Sequence, residues 1–140
     1  MNAIRDIHWG RIVVAGFLAE AVVFAIFFLL LFGATLAGVP EIARPMSTLD
    51  YADAMVSSFA TVFLFTLWVG RRIESGFILH GILVGVVALL LFQIVIFAGS
   101  GSLAQPPLYV VAHALKIVGG LTGGLVAERR RHRVVGAEGS

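Results

Sequence analysis

The stretch RIVVAGFLAEAVVFAIFFLLLFGATLA, Arg11 to Ala37, carries one charge, Glu20, after its leading arginine. An α-helix of roughly 20 apolar residues crosses the hydrocarbon core of a bilayer. This run is long enough, and it exceeds the apolar core of a secretory signal, so it reads as a retained helix. Three more stretches qualify: 49–70, whose uncharged core begins after Asp53, then 75–98 and 106–127. Of the 140 residues, 59% are hydrophobic and 13% charged, with a mean hydropathy of +1.00. A soluble domain of this size leaves too much of itself exposed to hide that much apolar surface. The expected fold is therefore an all-α integral membrane protein, a single four-transmembrane-helix bundle over 1–140 with a basic tail at 128–140. The chain has no cysteine, which excludes disulfides, thiolate metal sites and cysteine nucleophiles.

The ends of the spans carry punctuation. In MSTLDYADA, Ser47 is an expected N-cap with Asp50 three residues on, and Asp53 lies near the positive end of the helix dipole. Pro106 and Pro107 open the fourth span, where a missing N–H costs nothing. FAGSGSLAQPP is a short polar turn before it. Arginines set the orientation. Arg5 and Arg11 precede the first span, Arg71 and Arg72 separate the second from the third, and Arg129, Arg130, Arg131 and Arg133 follow the fourth. The two opposite connections hold only Arg44. By the positive-inside rule both termini are expected in the cytoplasm, and so strong a bias argues against dual topology.

The halves of the chain look related. RIVVAGFLAE (Arg11 to Glu20) matches RRIESGFILH (Arg71 to His80) at Arg11/Arg71, Gly16/Gly76 and Phe17/Phe77, and TLWVGRR (Thr66 to Arg72) matches GLVAERR (Gly124 to Arg130). Each half would be one helical hairpin entering from the cytoplasm, related by an axis along the membrane normal. The register places Glu20 over His80.

Gly119, Gly120, Gly123 and Gly124 form two overlapping small-xxx-small pairs in the fourth span, and Gly81 and Gly85 form another in the third. Lipid gives helices no hydrophobic reason to associate, so close van der Waals approach must hold them, and glycine permits it. These faces are expected to pack within the bundle or across a homo-oligomer. GGLTGG is no phosphate loop, since it lacks the following Lys-Ser/Thr and sits inside a span.

Glu20, His80, His113 and Lys116 are the ionisable residues inside the apolar spans. Counted along ideal helices, Glu20 lies roughly 13 Å from Arg11, His80 roughly 12 Å from Arg72, and Lys116 roughly 18 Å from Glu128. All three are expected near the midplane, with His113 closer to the far side. His113, Lys116, Gly120, Gly123 and Ala127 share one helical face, which should therefore face protein. An unpaired ammonium at the bilayer centre costs about 2.5 to 3.5 kcal/mol on insertion scales. Glu20 is the one buried acid available, so the sequence predicts a Glu20–Lys116 pair, with His80 beside it as a shared hydrogen-bond partner. Such a pair is either a packing device or part of a proton route, and both readings stand at this stage. Glu20, His80 and His113 sit on three helices without metal-ligand spacing, so no metal site and no cofactor are expected.

The run ERRRHR and the Arg71–Arg72 doublet read as cytoplasmic anchors touching anionic lipid, and Trp9 and Trp68 as interfacial aromatics. Ser57, Ser58, Thr61 and Thr66 are expected to bond their own helix backbone or a neighbour. No nucleophile elbow, Ser-His-Asp spacing or zinc-protease helix is present.

WVGRRIESGFILHGILVGVVALLLF (Trp68 to Phe92) with LKIVGGLTGGLVAERR (Leu115 to Arg130) resembles a family of small bacterial four-helix membrane proteins of unknown function. The likeness lies in the basic doublet, a G-x-x-x-H-G-x-x-x-G entry to the third span (Gly76, His80, Gly81, Gly85) and a glycine-rich fourth span. It implies a four-helix bundle in a bacterial inner membrane and no activity; Glu20 and Lys116 lie outside its pattern. Glu20 also resembles the membrane glutamate of small multidrug exporters, which lack a midplane lysine.

Two functions follow as expectations. The first is a non-enzymatic scaffold or accessory subunit, joining a second copy or a larger complex through its glycine faces. The alternative is a small proton-coupled transporter or channel working through Glu20, His80 and Lys116. The lipid bilayer is the expected partner throughout, and nucleic acid is not one. Glycine stripes left on the outside would favour the scaffold, and a polar cavity reaching the pair would favour the transporter.

Overall fold

The computed structural model describes residues 7–38 and 48–138, with side chains over 7–38 and 51–133. Arg44, Ser47 and the Asp50 side chain, and with them the expected N-cap, lie outside that description. Four helices follow in order, α1 (Trp9–Leu36), α2 (Thr48–Gly70), α3 (Phe77–Ser100) and α4 (Pro107–Glu138), with no strand among the described residues. Each is long and apolar enough to cross a membrane, as in a multi-pass membrane protein.

Two helix ends differ from the sequence expectation, each for a local reason. Residues 71–76 form a turn in which Arg71 and Arg72 donate backbone N–H groups to Trp68 and Val69. Gly76 then takes a left-handed conformation (φ 68°), open to glycine at little cost, so α3 begins at Phe77 rather than Ser75. At the other extreme α4 does not stop at Ala127 but runs through the arginine tail to Glu138. Arginine is a good helix former, and ERRRHR contains no breaker.

The bundle is built around α4. A Cβ on Gly119 would fall 2.7 Å from Phe59 O and one on Gly123 2.9 Å from Phe63 O, so these two glycines admit α2. On the adjoining face Gly120 meets the Gly81 carbonyl, while a Cβ on Gly124 would lie 2.6 Å from Phe77 O. Gly85 reciprocates against Lys116 O, again at 2.6 Å. The overlapping glycine pairs thus serve two different neighbours, and the expected glycine faces are consumed inside the bundle. Gly119, Gly120, Gly123 and Gly124 are all buried.

Helix α1 closes only half of this core. Ile12, Ala15, Gly16, Ala19 and Glu20 are buried at helical spacing, with Gly16 tight against Val87. Beyond Glu20 no residue of α1 is buried, and Phe28, Leu29 and Phe32 are well exposed. The bundle is therefore tight at the end bearing the α2–α3 turn, here called proximal, and loose at the distal end. The proximal end is also tied by polar contacts: the His8 backbone N–H donates to His80 Nε2 (3.2 Å), and the Arg11 guanidinium donates to the Arg72 carbonyl. Trp9 and Trp68 stand exposed at that end.

Candidate functional site

Lys116 and Glu20 meet in the middle of the bundle. Lys116 is 1% exposed and Glu20 3%, and Nζ lies 2.5 Å from Oε1. The geometry follows from the packing already described. Gly85 brings α3 onto the Lys116 backbone, and the small residues Ala15, Gly16 and Ala19 bring α1 close enough for the carboxylate one position later to reach the ammonium. Nζ also lies 4.5 Å from the centroid of the Phe92 ring, which adds a cation–π contact. Phe92 in turn stacks on Phe24 (5.8 Å, 10° between planes) and meets His113 edge-on at 4.9 Å. The second carboxylate oxygen, Glu20 Oε2, has no hydrogen-bond partner.

Above this pair, in the distal half, lies a cavity of about 500 Å³. Lys116 is its floor, and the lining runs up all four helices to the α3–α4 connection. Its walls differ in kind. Val23, Phe24, Phe27, Leu30 and Leu31 make an apolar side from α1, whereas α2 supplies Asp53, Ser57 and Ser58 and α4 supplies Tyr109 and His113. The cavity exists because α1 changes character after Glu20: alanines and glycine give way to phenylalanines and leucines, which cannot approach the α2–α4 pair as closely. Glu20 does not line it, so Lys116 stands between the cavity and the carboxylate.

A chain of amides braces the distal half. Gln105 Nε2 donates to Gln93 Oε1 (2.7 Å), and Gln105 Oε1 lies 2.9 Å from His113 Nε2. Facing a carbonyl oxygen, Nε2 donates, and in the neutral ring Nδ1 is then an acceptor; it has no partner although His113 is only 7% exposed. Ser57 Oγ, one turn from Asp53 on α2, is likewise unpartnered.

Of the four ionisable residues marked in the sequence, all are buried and two are paired with each other. His113 lies one turn from Lys116 and shares Phe92 with it. His80 is a correction. Its Nδ1 donates to Gly76 O (2.8 Å) and its Nε2 accepts from His8, so both ring nitrogens are engaged at the proximal end, away from the pair. The reason is the 71–76 turn: helical rise does not accumulate there, and His80 falls in the first turn of α3 rather than at the midplane. Glu20 and His80, superposed by the sequence repeat, thus stand at different heights.

The hydroxyls on α2 also divide. Thr61 Oγ1 donates to Ser57 O (2.7 Å) as expected, but Ser57 Oγ and Thr66 Oγ1 have no partner. Thr66 instead packs its methyl against Gly81 and Gly123. Among the described residues, no three acidic or histidine side chains gather where a metal could sit. Arg71, Arg72, Arg129, Arg130, Arg131 and Arg133 are exposed at the proximal end. Sequence reasoning missed Asp53, Phe92 and Gln105 as cavity residues, and Gln93 as the partner of Gln105. Gln93 was the available signal, being the one amide in an apolar third span.

Comparison with protein families, with curated proteins and with solved structures found no match. The functional reading therefore rests on the site. Chemically, an ammonium and a carboxylate in contact can exchange one proton and become a neutral amine and acid, so the pair can change charge state without a charge left alone in lipid.

Proposed function

We propose that this chain is a small proton-coupled carrier of the bacterial inner membrane, both termini cytoplasmic, which receives a small molecule from the far side. The observation that carries this reading is the distal cavity ending on Lys116, with Glu20 behind it. The cavity volume falls within the range of small-molecule sites, about 300 to 1,000 Å³, and its mostly apolar lining with a few convergent polar groups is typical of them. Orientation rests on the arginines, which crowd the proximal end and put the cavity mouth outside. In this scheme Lys116 faces the solute and Glu20 shuttles the proton. His80 belongs to the proximal seal.

The scaffold reading would need a different surface from the one the sequence suggests, since the glycines are occupied within the bundle. Association with a second copy or another subunit would fall to the exposed distal half of α1. We also propose that α1–α2 and α3–α4 descend from one hairpin, on the strength of the paired segments at Arg11 and Arg71; separately expressed hairpins that co-assemble would support it.

The test is proton flux in proteoliposomes under an imposed potential. Wild type should pass protons above the protein-free background, and Glu20→Gln should return the flux to background. Equal, background-level flux in both, with and without candidate solutes, would remove the carrier reading and leave the pair a packing device.

A further inference from the structure

Resting on the carrier reading, the cavity also specifies a class of solute. Its charges are not balanced along its length. Lys116 at the floor is neutralised by Glu20, 2.5 Å away, so the deep end carries no net charge. Asp53, nearer the distal end on α2, lines the same space, and among the described residues no cation pairs with it. Low-dielectric walls concentrate the field of such a charge within a cleft. A second, independent feature points the same way: His113 Nδ1 is a buried acceptor lacking a donor, and Ser57 Oγ can accept as well. Asp53 and Ser57 are one turn apart on α2, and His113 stands on α4, which packs beside α2, so acid and acceptors lie along one side of the cavity. Opposite them α1 offers rings and branched side chains, with Phe24 and Phe27 among them.

We propose that the cavity takes a small amphipathic organic cation bearing N–H donors. Its nitrogen lies against Asp53, its donors turn to the α2–α4 wall, and its hydrocarbon body lies on the α1 wall and reaches Phe92. An anion of the same shape meets the Asp53 carboxylate and bare acceptors, and is rejected. A neutral analogue keeps the apolar contacts and loses the attraction to Asp53.

Three near-isosteric fluorescent probes test this in nanodiscs, with empty nanodiscs subtracting lipid partition: 2-(1-naphthyl)ethylammonium, 2-(1-naphthyl)ethanol and 1-naphthylacetate. Wild type should retain the ammonium about tenfold more tightly than the alcohol, and the acetate more weakly still. Asp53→Asn should bring the ammonium down to the level of the alcohol, Asp53→Glu should keep most of the preference, and Ser57→Trp, which fills the space, should remove all three. Equal binding of the probes, preference for the acetate, no binding above empty nanodiscs, or a preference that survives Asp53→Asn would each overturn the proposal. Failure here beside a proton flux that needs Glu20 would discard the cationic solute and retain the carrier. Loss of that flux would discard the carrier itself.

Discussion

The Glu20–Lys116 contact shows how one residue can be both a burden and a fixture. A buried ion pair often stabilises little against an apolar pair of similar volume, yet removing one partner strands the other charge. Lys116→Leu alone should therefore destabilise the protein by about 3 to 5 kcal/mol, and the Glu20→Leu/Lys116→Leu double substitution should recover most of that loss. Denaturant titration in mixed micelles reads both, and a double variant no more stable than the single one would mean the two side chains are not coupled. His80 makes a separable case. His80→Phe forfeits two hydrogen bonds and should cost about 1 to 3 kcal/mol at the proximal end. Proton flux through the reconstituted variant should nonetheless still depend on Glu20. The pair itself was legible from the sequence because only one buried acid was available to one buried base. His80 was not, because its depth was counted through residues that turn instead of rising.

At the level of the helices, the spans were legible because apolar length is a property of the sequence alone. The ends were less so: Gly76 sets the start of α3 by its backbone conformation, and α4 continues because nothing in its tail interrupts it. Glycine spacing correctly marked close packing but could not say which neighbour each glycine meets. Structure divides them, Gly119 and Gly123 toward α2, Gly120 and Gly124 toward α3. Gly120→Val must displace the α3 backbone at Gly81 and should destabilise by about 1 to 3 kcal/mol or more. Gly33→Val, on the open distal half of α1 where nothing lies within 4 Å, should change stability by less than about 0.5 kcal/mol. Thermal unfolding of the two variants in the same detergent makes the comparison, and similar losses at both sites would contradict the packing scheme.

The whole molecule is a bundle sealed at one end and open at the other, and this asymmetry is what no single segment announced. Periodicity gives each helix a buried face but not the distance between helices. The cavity arises from a change in side-chain size along α1, from Ala15, Gly16 and Ala19 to Phe24, Phe27 and Leu30, which becomes visible only once α1 is laid against α3 and α4. The absence of native cysteine allows this asymmetry to be read directly. Ala54→Cys, in the cavity wall and half-buried, and Thr66→Cys, buried against Gly81 and Gly123 in the sealed half, can each be exposed in intact cells to a membrane-impermeant thiol reagent. A carrier opening away from the cytoplasm predicts rapid labelling of Ala54→Cys and none of Thr66→Cys. An inert Ala54→Cys, or equal labelling of the two, would contradict it.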